Sequence, residues 1–228
     1  MDNRTALFNN LHSYSFAQET KPLAAVENLI SKLIAYSEEF TLSVGTTYNF
    51  SQNLEMAGIV LLQEGIVSLC HTESGLHIST IFSPSVLGLV DGYSLFYGVE
   101  SRPNHNIIAE TECKCRCVPI ETFLKVADEL KLWHDVARVL AHRLMLMSIR
   151  EQELVGVDSY IKVRHLLREL WLYPEELRDT INILSFVMNR TGLSRSRTLA
   201  ILADLKKGKY IEIKSGKIVM LKNLPLAY

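Results

Sequence analysis

The chain has no apolar run approaching the ~18 residues that a membrane-spanning helix requires. Its first residues, MDNRTALFNN, contain no apolar core of the kind a secretion signal needs. A cytoplasmic protein with no membrane partner is therefore expected. Cysteine is scarce, four in 228 residues, and in that compartment thiols are expected rather than structural disulfides. No phosphate-binding glycine loop occurs, and no histidine lies near a serine or cysteine in a recognisable nucleophile motif. An enzyme working from the β-rich part of the chain has no support beyond the presence of His and Cys, so no enzymatic activity is expected. Repeats and low-complexity tracts are missing too.

A net charge of −1 is almost no charge at all. It conceals an asymmetry. Residues 160–228 hold thirteen Lys/Arg against six Asp/Glu, a formal +7, and residues 1–159 hold eleven against nineteen, a formal −8. A local positive field attracts a polyanion, and the acidic part would be repelled by it. With 48% hydrophobic residues the chain is expected to be globular, with one or two cores.

The basic part contains Leu184–Leu205, LSFVMNRTGLSRSRTLAILADL. This reads as two short helices broken at Gly192, the pattern of a DNA-binding helix-turn-helix. Glycine tolerates the left-handed backbone of such a turn. Leu193 follows as an apolar plug, and Ser194 can cap the second helix. Helical spacing places Thr198, Ile201, Leu202 and Leu205 on one stripe, for packing. Arg195, Ser196, Leu199, Ala200 and Ala203 lie on the opposite stripe, small and polar enough to enter a groove. Ile211 and Ile213, then Ile218 and Met220, alternate with polar residues on either side of Ser215-Gly216, which reads as a hairpin. Lys214 and Lys217 at its tip can reach phosphates. Helix-turn-helix plus hairpin is a winged helix. The residues expected to contact DNA are Ser194, Arg195, Ser196, Arg197, Leu199, Ala200, Lys214 and Lys217.

Upstream, Pro22–Phe40 has helical periodicity. From Phe40 to Pro119 short β-type runs follow one another: Phe40–Val44, Tyr48–Phe50, Ile59–Leu62, Ile66–Cys70, Leu76–Phe82, Val86–Val90 and Ile107–Val118. About eight short strands suggest an antiparallel roll or sandwich. A helix near Ile120 breaks near Asp128 and resumes from about Leu130 to Leu154. Trp133, Val136, Leu140, Leu144, Met147 and Leu154 form a stripe on it, and Leu144–Met147 is apolar all round. Such a helix must be covered on both sides. The same helix of a second copy is the economical cover, which predicts a two-fold homodimer; burial within the monomer is the alternative. Gly156-Val157-Asp158 reads as a hinge. The expected organisation is an N-terminal helix plus roll at 1–127, a dimerisation helix and hinge at 128–157, and a winged helix-turn-helix at 158–228.

This α+β order of antiparallel β-roll, long dimer helix and C-terminal winged helix resembles the CRP/FNR family of bacterial transcription regulators. Gln63–Leu69 is similar to the family's glycine turn between roll strands. Leu87-Gly88-Leu89 and Leu95-Phe96 resemble the segment that cradles a cyclic nucleotide phosphate in some members. Asp135–Leu144 resembles the start of the dimer helix, Asp158 the aspartate before the hinge, and Gly192-Leu193-Ser194-Arg195 the Gly-x-Ser-Arg of the recognition helix. The resemblance covers roughly Phe40 to Met220. It implies dimeric binding to a near-palindromic double-stranded site, with RNA polymerase as a further partner. It matches Arg195 to an arginine that reads a guanine edge. Ser196 and Ala200 stand where nucleotide-responsive members carry an acidic and a basic reader, so a different operator is expected. Leu199 suits a thymine methyl and Arg197 a phosphate. Met188 and Thr191 depart from the usual small and apolar residues of the motif. They leave open a DNA-independent interaction protein with a relic winged helix. The subset most resembled is the IprA-type regulators, associated with oxidative-stress resistance.

Two features bear on what the roll senses. The cradle needs an arginine and hydroxyl donors for a cyclic phosphate. Here Leu89-Val90 follows Gly88 where a glutamate is usual, and Arg102 is followed by Pro103, which lacks a hydroxyl and an N–H. Cyclic-nucleotide dependence is not expected, and no cofactor is implied. Cys113, Cys115 and Cys117 alternate with charged residues, so in a strand their sulfurs share one face. They read as core residues, as a redox sensor with thiols tuned by Lys114 and Arg116, or as part of a soft-metal site with Cys70, His71 or His105, though the spacing is not that of a zinc finger. No cysteine occurs in residues 1–39, so the N-terminal iron–sulfur cluster of some family members is excluded.

Overall fold

The computed structural model describes residues 13–50, 58–99 and 104–226. Arg102 and Pro103 lie outside them. The fold is α+β and packs as two compact units. One is Pro22–Ala141; the other joins the residues up to Lys21 with those from His142 onward.

The first unit is a β-roll with helices on one side. Helix α1 (Ser13–Thr20) belongs to the other unit, so the roll unit begins with α2 (Leu23–Leu33). Strands β1 (Glu38–Leu42), β3 (Gly58–Glu64), β6 (Ser85–Leu87) and β8 (Cys113–Pro119) form one antiparallel sheet in the order β1-β8-β3-β6. Strands β2 (Thr47–Asn49), β4 (Ile66–His71), β5 (His77–Phe82) and β7 (His105–Ala109) form the other, in the order β2-β7-β4-β5. Leu42, Val60, Leu62, Val67, Leu87, Ile107, Cys113 and Cys115 make the core between the sheets. The opposite face of the first sheet supplies Ile59, Leu61, Val86 and Val118 to a second core. That core is completed by α2, by α4 (Ile120–Glu129) and by the start of the long helix α5 (Trp133–Leu154). Gly58–Leu62 is buried on both faces, which explains why it is a continuous apolar run and not an alternation.

Three boundaries differ from the sequence reading. The helix expected over 22–40 ends at a single 3-10 turn, Ile34–Tyr36. Arg116 donates to the Ser37 hydroxyl at 2.8 Å and to its carbonyl at 3.1 Å, and β1 then pairs with β8 from Glu38 onward. The run at Val86–Val90 is half strand, since a helix, α3 (Leu89–Tyr97), begins after Gly88. The run at Ile107–Val118 is two strands in different sheets, β7 and β8.

The second unit contains α1, the distal part of α5, α6 (Ser159–Leu172), the short α7 (Glu175–Arg178), α8 (Ile183–Thr191), α9 (Arg195–Lys207) and the hairpin β9 (Ile211–Lys214) and β10 (Lys217–Leu221). Tyr160, Val163, Leu166, Leu167 and Leu170 of α6 are buried, as are Ile183, Phe186 and Val187 of α8 and Ile201, Leu202 and Leu205 of α9. The Tyr160 hydroxyl donates to the Pro225 carbonyl at 2.8 Å, tying the end of the chain to α6. No helix among the described residues is long and apolar enough to cross a membrane.

Candidate nucleic-acid interface

The geometry begins at the N-terminus of α8. Asn182 precedes it and its side-chain oxygen accepts from Leu184 N–H at 3.0 Å and Ser185 N–H at 3.2 Å. Nine residues later the helix stops at Gly192, whose φ of +67° is left-handed. Thr191 builds the turn. Its hydroxyl donates to the Val187 carbonyl at 2.7 Å and accepts from Leu193 N–H at 3.2 Å. The threonine that departs from the expected apolar residue is thus a hydrogen-bonding part of the turn. Met188 is half-buried.

Ser194 caps α9, its hydroxyl accepting from Arg197 N–H at 3.3 Å. Thr198 is fully buried and donates from its hydroxyl to the Ser194 carbonyl at 3.0 Å. With Thr198, Ile201, Leu202 and Leu205 buried, the opposite side of α9 presents Arg195, Ser196, Leu199, Ala200 and Ala203 to solvent, and Arg197 on the flank is exposed too. Leu199 is 44% exposed. Behind this face Arg190 is buried, with its guanidinium 3.7 Å from the Phe186 ring centroid.

The hairpin turns in two residues, Ser215 at φ +49° and Gly216 at φ +78°, as the right-handed twist of paired strands favours. Its tip is anchored. Ile183 N–H donates to the Gly216 carbonyl at 2.9 Å. A β-carbon on Gly216 would stand 2.5 Å from the Asn182 side-chain nitrogen, so glycine also permits this close approach. The two tip lysines differ. Lys217 donates to the Thr180 carbonyl, whereas Lys214 is highly exposed and only 3.1 Å from the exposed Glu212 carboxylate. An exposed pair of that kind contributes little and leaves Lys214 free to swing. Sequence reasoning missed the anchoring role of Asn182. Its signal was an Asx residue immediately before an apolar helix start.

Residues 159–226 match a family of winged helix-turn-helix DNA-binding domains. The chain is similar in fold to solved regulators. A c-di-GMP responsive global regulator of Xanthomonas campestris has a TM-score of 0.68 at 15% identity, covering 86% of this chain and all of that one. A CRP/FNR-family transcriptional regulator of Thermus thermophilus has a TM-score of 0.60 at 17% identity, covering 81% and 94%. The chain has a CRP/FNR-like fold. This CRP/FNR-like chain is also 29% identical over 208 residues to a protein of Escherichia coli K12 called inhibitor of hydrogen peroxide resistance, covering 91% of this chain and 98% of that relative.

In the CRP/FNR-like roll, the three cysteines project from one face of β8. Cys113 and Cys115 are buried in the inter-sheet core, and Cys117 lies 3.8 Å from the Tyr48 hydroxyl. Lys114 and Arg116 pair on the other face with Glu64 and Glu39, each at 2.7 Å. Burial pushes all three thiols up, Cys115 to about 12, and the neighbouring Cys113 adds to that shift. Among the described residues no group of three or more His, Cys, Asp or Glu is placed to hold a metal ion. Beside the cradle-like segment, Asp91 in the first turn of α3 is buried and stands 3.5 Å from the His105 ring.

Proposed function

We propose that this protein binds double-stranded DNA sequence-specifically as a homodimer and regulates transcription through that occupancy, with RNA polymerase as its protein partner. The observation that carries the reading is the face of α9. One stripe is locked into the domain, and the other offers one fork-shaped donor, Arg195, among small and apolar side chains. Arg195 suits a bidentate contact to guanine, and Leu199 suits a thymine methyl. Ser194 and Ser196 sit at the helix start, where hydroxyls and free N–H groups meet phosphates. Arg197 flanks the groove face, and Lys214 extends the phosphate contacts from the wing. Ala200 leaves room for the bases. The formal +7 of residues 160–228 supplies the attraction.

Cyclic-nucleotide independence is part of the reading. The first turn of α3 carries Leu89-Val90 after Gly88 where a glutamate is usual, and the carboxylate it does hold, Asp91, is buried against the His105 ring at 3.5 Å. The relative's name connects the protein to peroxide stress, and we assign that link to the genes bound. The thiols of Cys113, Cys115 and Cys117 are held neutral by burial, which disfavours the reactive thiolate.

The test is selection of binding sites from random duplex DNA by the purified protein, with and without peroxide. A near-palindromic consensus enriched equally in both arms is the expected outcome. Loss of the consensus under peroxide, restored by Cys→Ser changes at 113, 115 and 117, would return the cysteines to the role of sensor. Failure to enrich any sequence at low salt and in both arms would leave either a missing effector or a DNA-independent interaction protein.

A further inference from the structure

The turn between α5 and α6 carries little packing of its own. Val155, Gly156 and Asp158 are exposed. The bonds that hold it are Val155 N–H to the Glu151 carbonyl at 2.7 Å, and the cap that Asp158 gives α6 through Ile161 N–H at 2.9 Å. Such a segment would swivel if nothing spanned it.

Helix α1 spans it. The Glu153 carboxylate, near the end of α5, accepts from Ser13 N–H at 2.9 Å and from the Ser13 hydroxyl at 2.7 Å, and both residues are buried. A carboxylate on the first residue of a helix satisfies a free N–H and meets the positive end of the dipole. At the next position the Tyr14 ring lies on Tyr173, centroids 4.8 Å apart, just beyond the end of α6. The Tyr173 hydroxyl donates to Glu169 at 2.8 Å. The other Glu169 oxygen is 3.5 Å from Arg150, back on α5. The contacts close a circuit through α1, α5 and α6, with the 155–158 turn inside it. Phe16 adds a stack on His142 of α5, centroids 6.0 Å apart.

We propose that α1 is a lock on the 155–158 turn: Ser13 and Tyr14 reinforce the direct Arg150–Glu169 tie between α5 and α6 and so fix the winged helix to the distal end of α5, and the turn is freed to swivel when α1 lets go. Lys21-Pro22 joins α1 directly to α2, so the lock is one covalent step from the roll unit. The circuit involves no residue of the DNA-facing surface. Its test needs no DNA, so it stands or falls separately from the function proposed above.

The test is amide hydrogen exchange on the full chain, comparing wild type with Glu153→Gln and Ser13→Ala. The glutamine removes the charge and turns one acceptor into a donor. The alanine deletes only the hydroxyl bond. The expected result is exchange roughly tenfold faster in both 13–20 and 155–162, with 183–207 unchanged. Faster exchange in 13–20 with wild-type protection at 155–162 would overturn the proposal, because α1 would then be a passenger. No change in either segment in both variants would overturn it too. If Glu153→Gln also loosens 183–207, the domain has been damaged, and Ser13→Ala decides by the same criterion.

Discussion

Single side chains carry two distinct chemistries here. Arg195 is the fork-shaped donor at the start of the exposed α9 stripe, and among the described residues its side chain makes no hydrogen bond or ion pair. Arg195→Ala is expected to cost about 1–3 kcal/mol of specific binding and to relax one position of each half-site, with the melting temperature unchanged. Titration of the selected duplex and of single-base variants measures both effects. Cys115 makes the opposite case, a side chain whose state belongs to the fold. Its thiol is raised from the ordinary 9.0 to about 12 by burial. Between those values the unfolded chain releases a proton that the folded chain keeps, so stability falls as pH rises from about 9 toward 12. Melting curves across that window should show the fall. Cys115→Ala should flatten it, at some cost in stability near neutral pH from the lost packing. Equal slopes in the two proteins would show that the thiol does not contribute.

At the scale of elements, the two wing lysines look equivalent in the sequence and make different contacts in the fold. Lys217 donates to the Thr180 carbonyl and helps hold the hairpin tip against the start of α8. Lys214→Ala is expected to lower the salt slope of DNA binding by about one. Lys217→Met, which keeps the apolar stem, should leave the slope unchanged. It should instead speed exchange of the Ile183 amide, which bonds the Gly216 carbonyl. The reverse pattern would exchange their roles. This difference marks how far the sequence could be read. Local rules located α8, the Gly192 turn, the Ser194 cap, α9 and the hairpin, because each depends on neighbours in the chain. The buried stripe Thr198, Ile201, Leu202 and Leu205 followed from helical spacing alone. Partners distant in sequence could not be read this way. Arg116 ends a helix 79 residues upstream by bonding Ser37. Val136, placed on the dimer stripe by its period, is buried in the roll unit's own core. Leu89 and Val90, the start of α3, read as the end of a strand because Val86–Val90 is apolar and begins and ends in valine, and the exposed Tyr93, Phe96 and Tyr97 hide the helical face.

The whole molecule turns on α5, the helix that runs through both compact units. Val136 and Val139 face the roll core, and His142 and Glu153 are buried further along. What remains outside is Leu144, 67% exposed, and Met147, 60% exposed, with Met145 at 48% beside them. Leu140, Leu144, Met147 and Leu154 recur at spacings of four, three and seven, the spacing that the seam of the proposed two-stranded coiled coil would use. Burying two such side chains against a second copy is worth several kcal/mol in total, about 1.5–3 kcal/mol for each if burial is complete. Leu144→Glu combined with Met147→Glu places like charges across the two-fold axis. Sedimentation should show wild type at twice the chain mass and the double variant at the chain mass. Its melting temperature at high dilution should be unchanged, since neither residue supports the monomer's core. DNA affinity should fall by a factor on the order of 10²–10⁴, because the second half-site is no longer bound as an intramolecular step, while preference within one half-site survives. A wild type that sediments at the chain mass would remove the dimer, and a palindromic operator would then need another way to bring two recognition helices together.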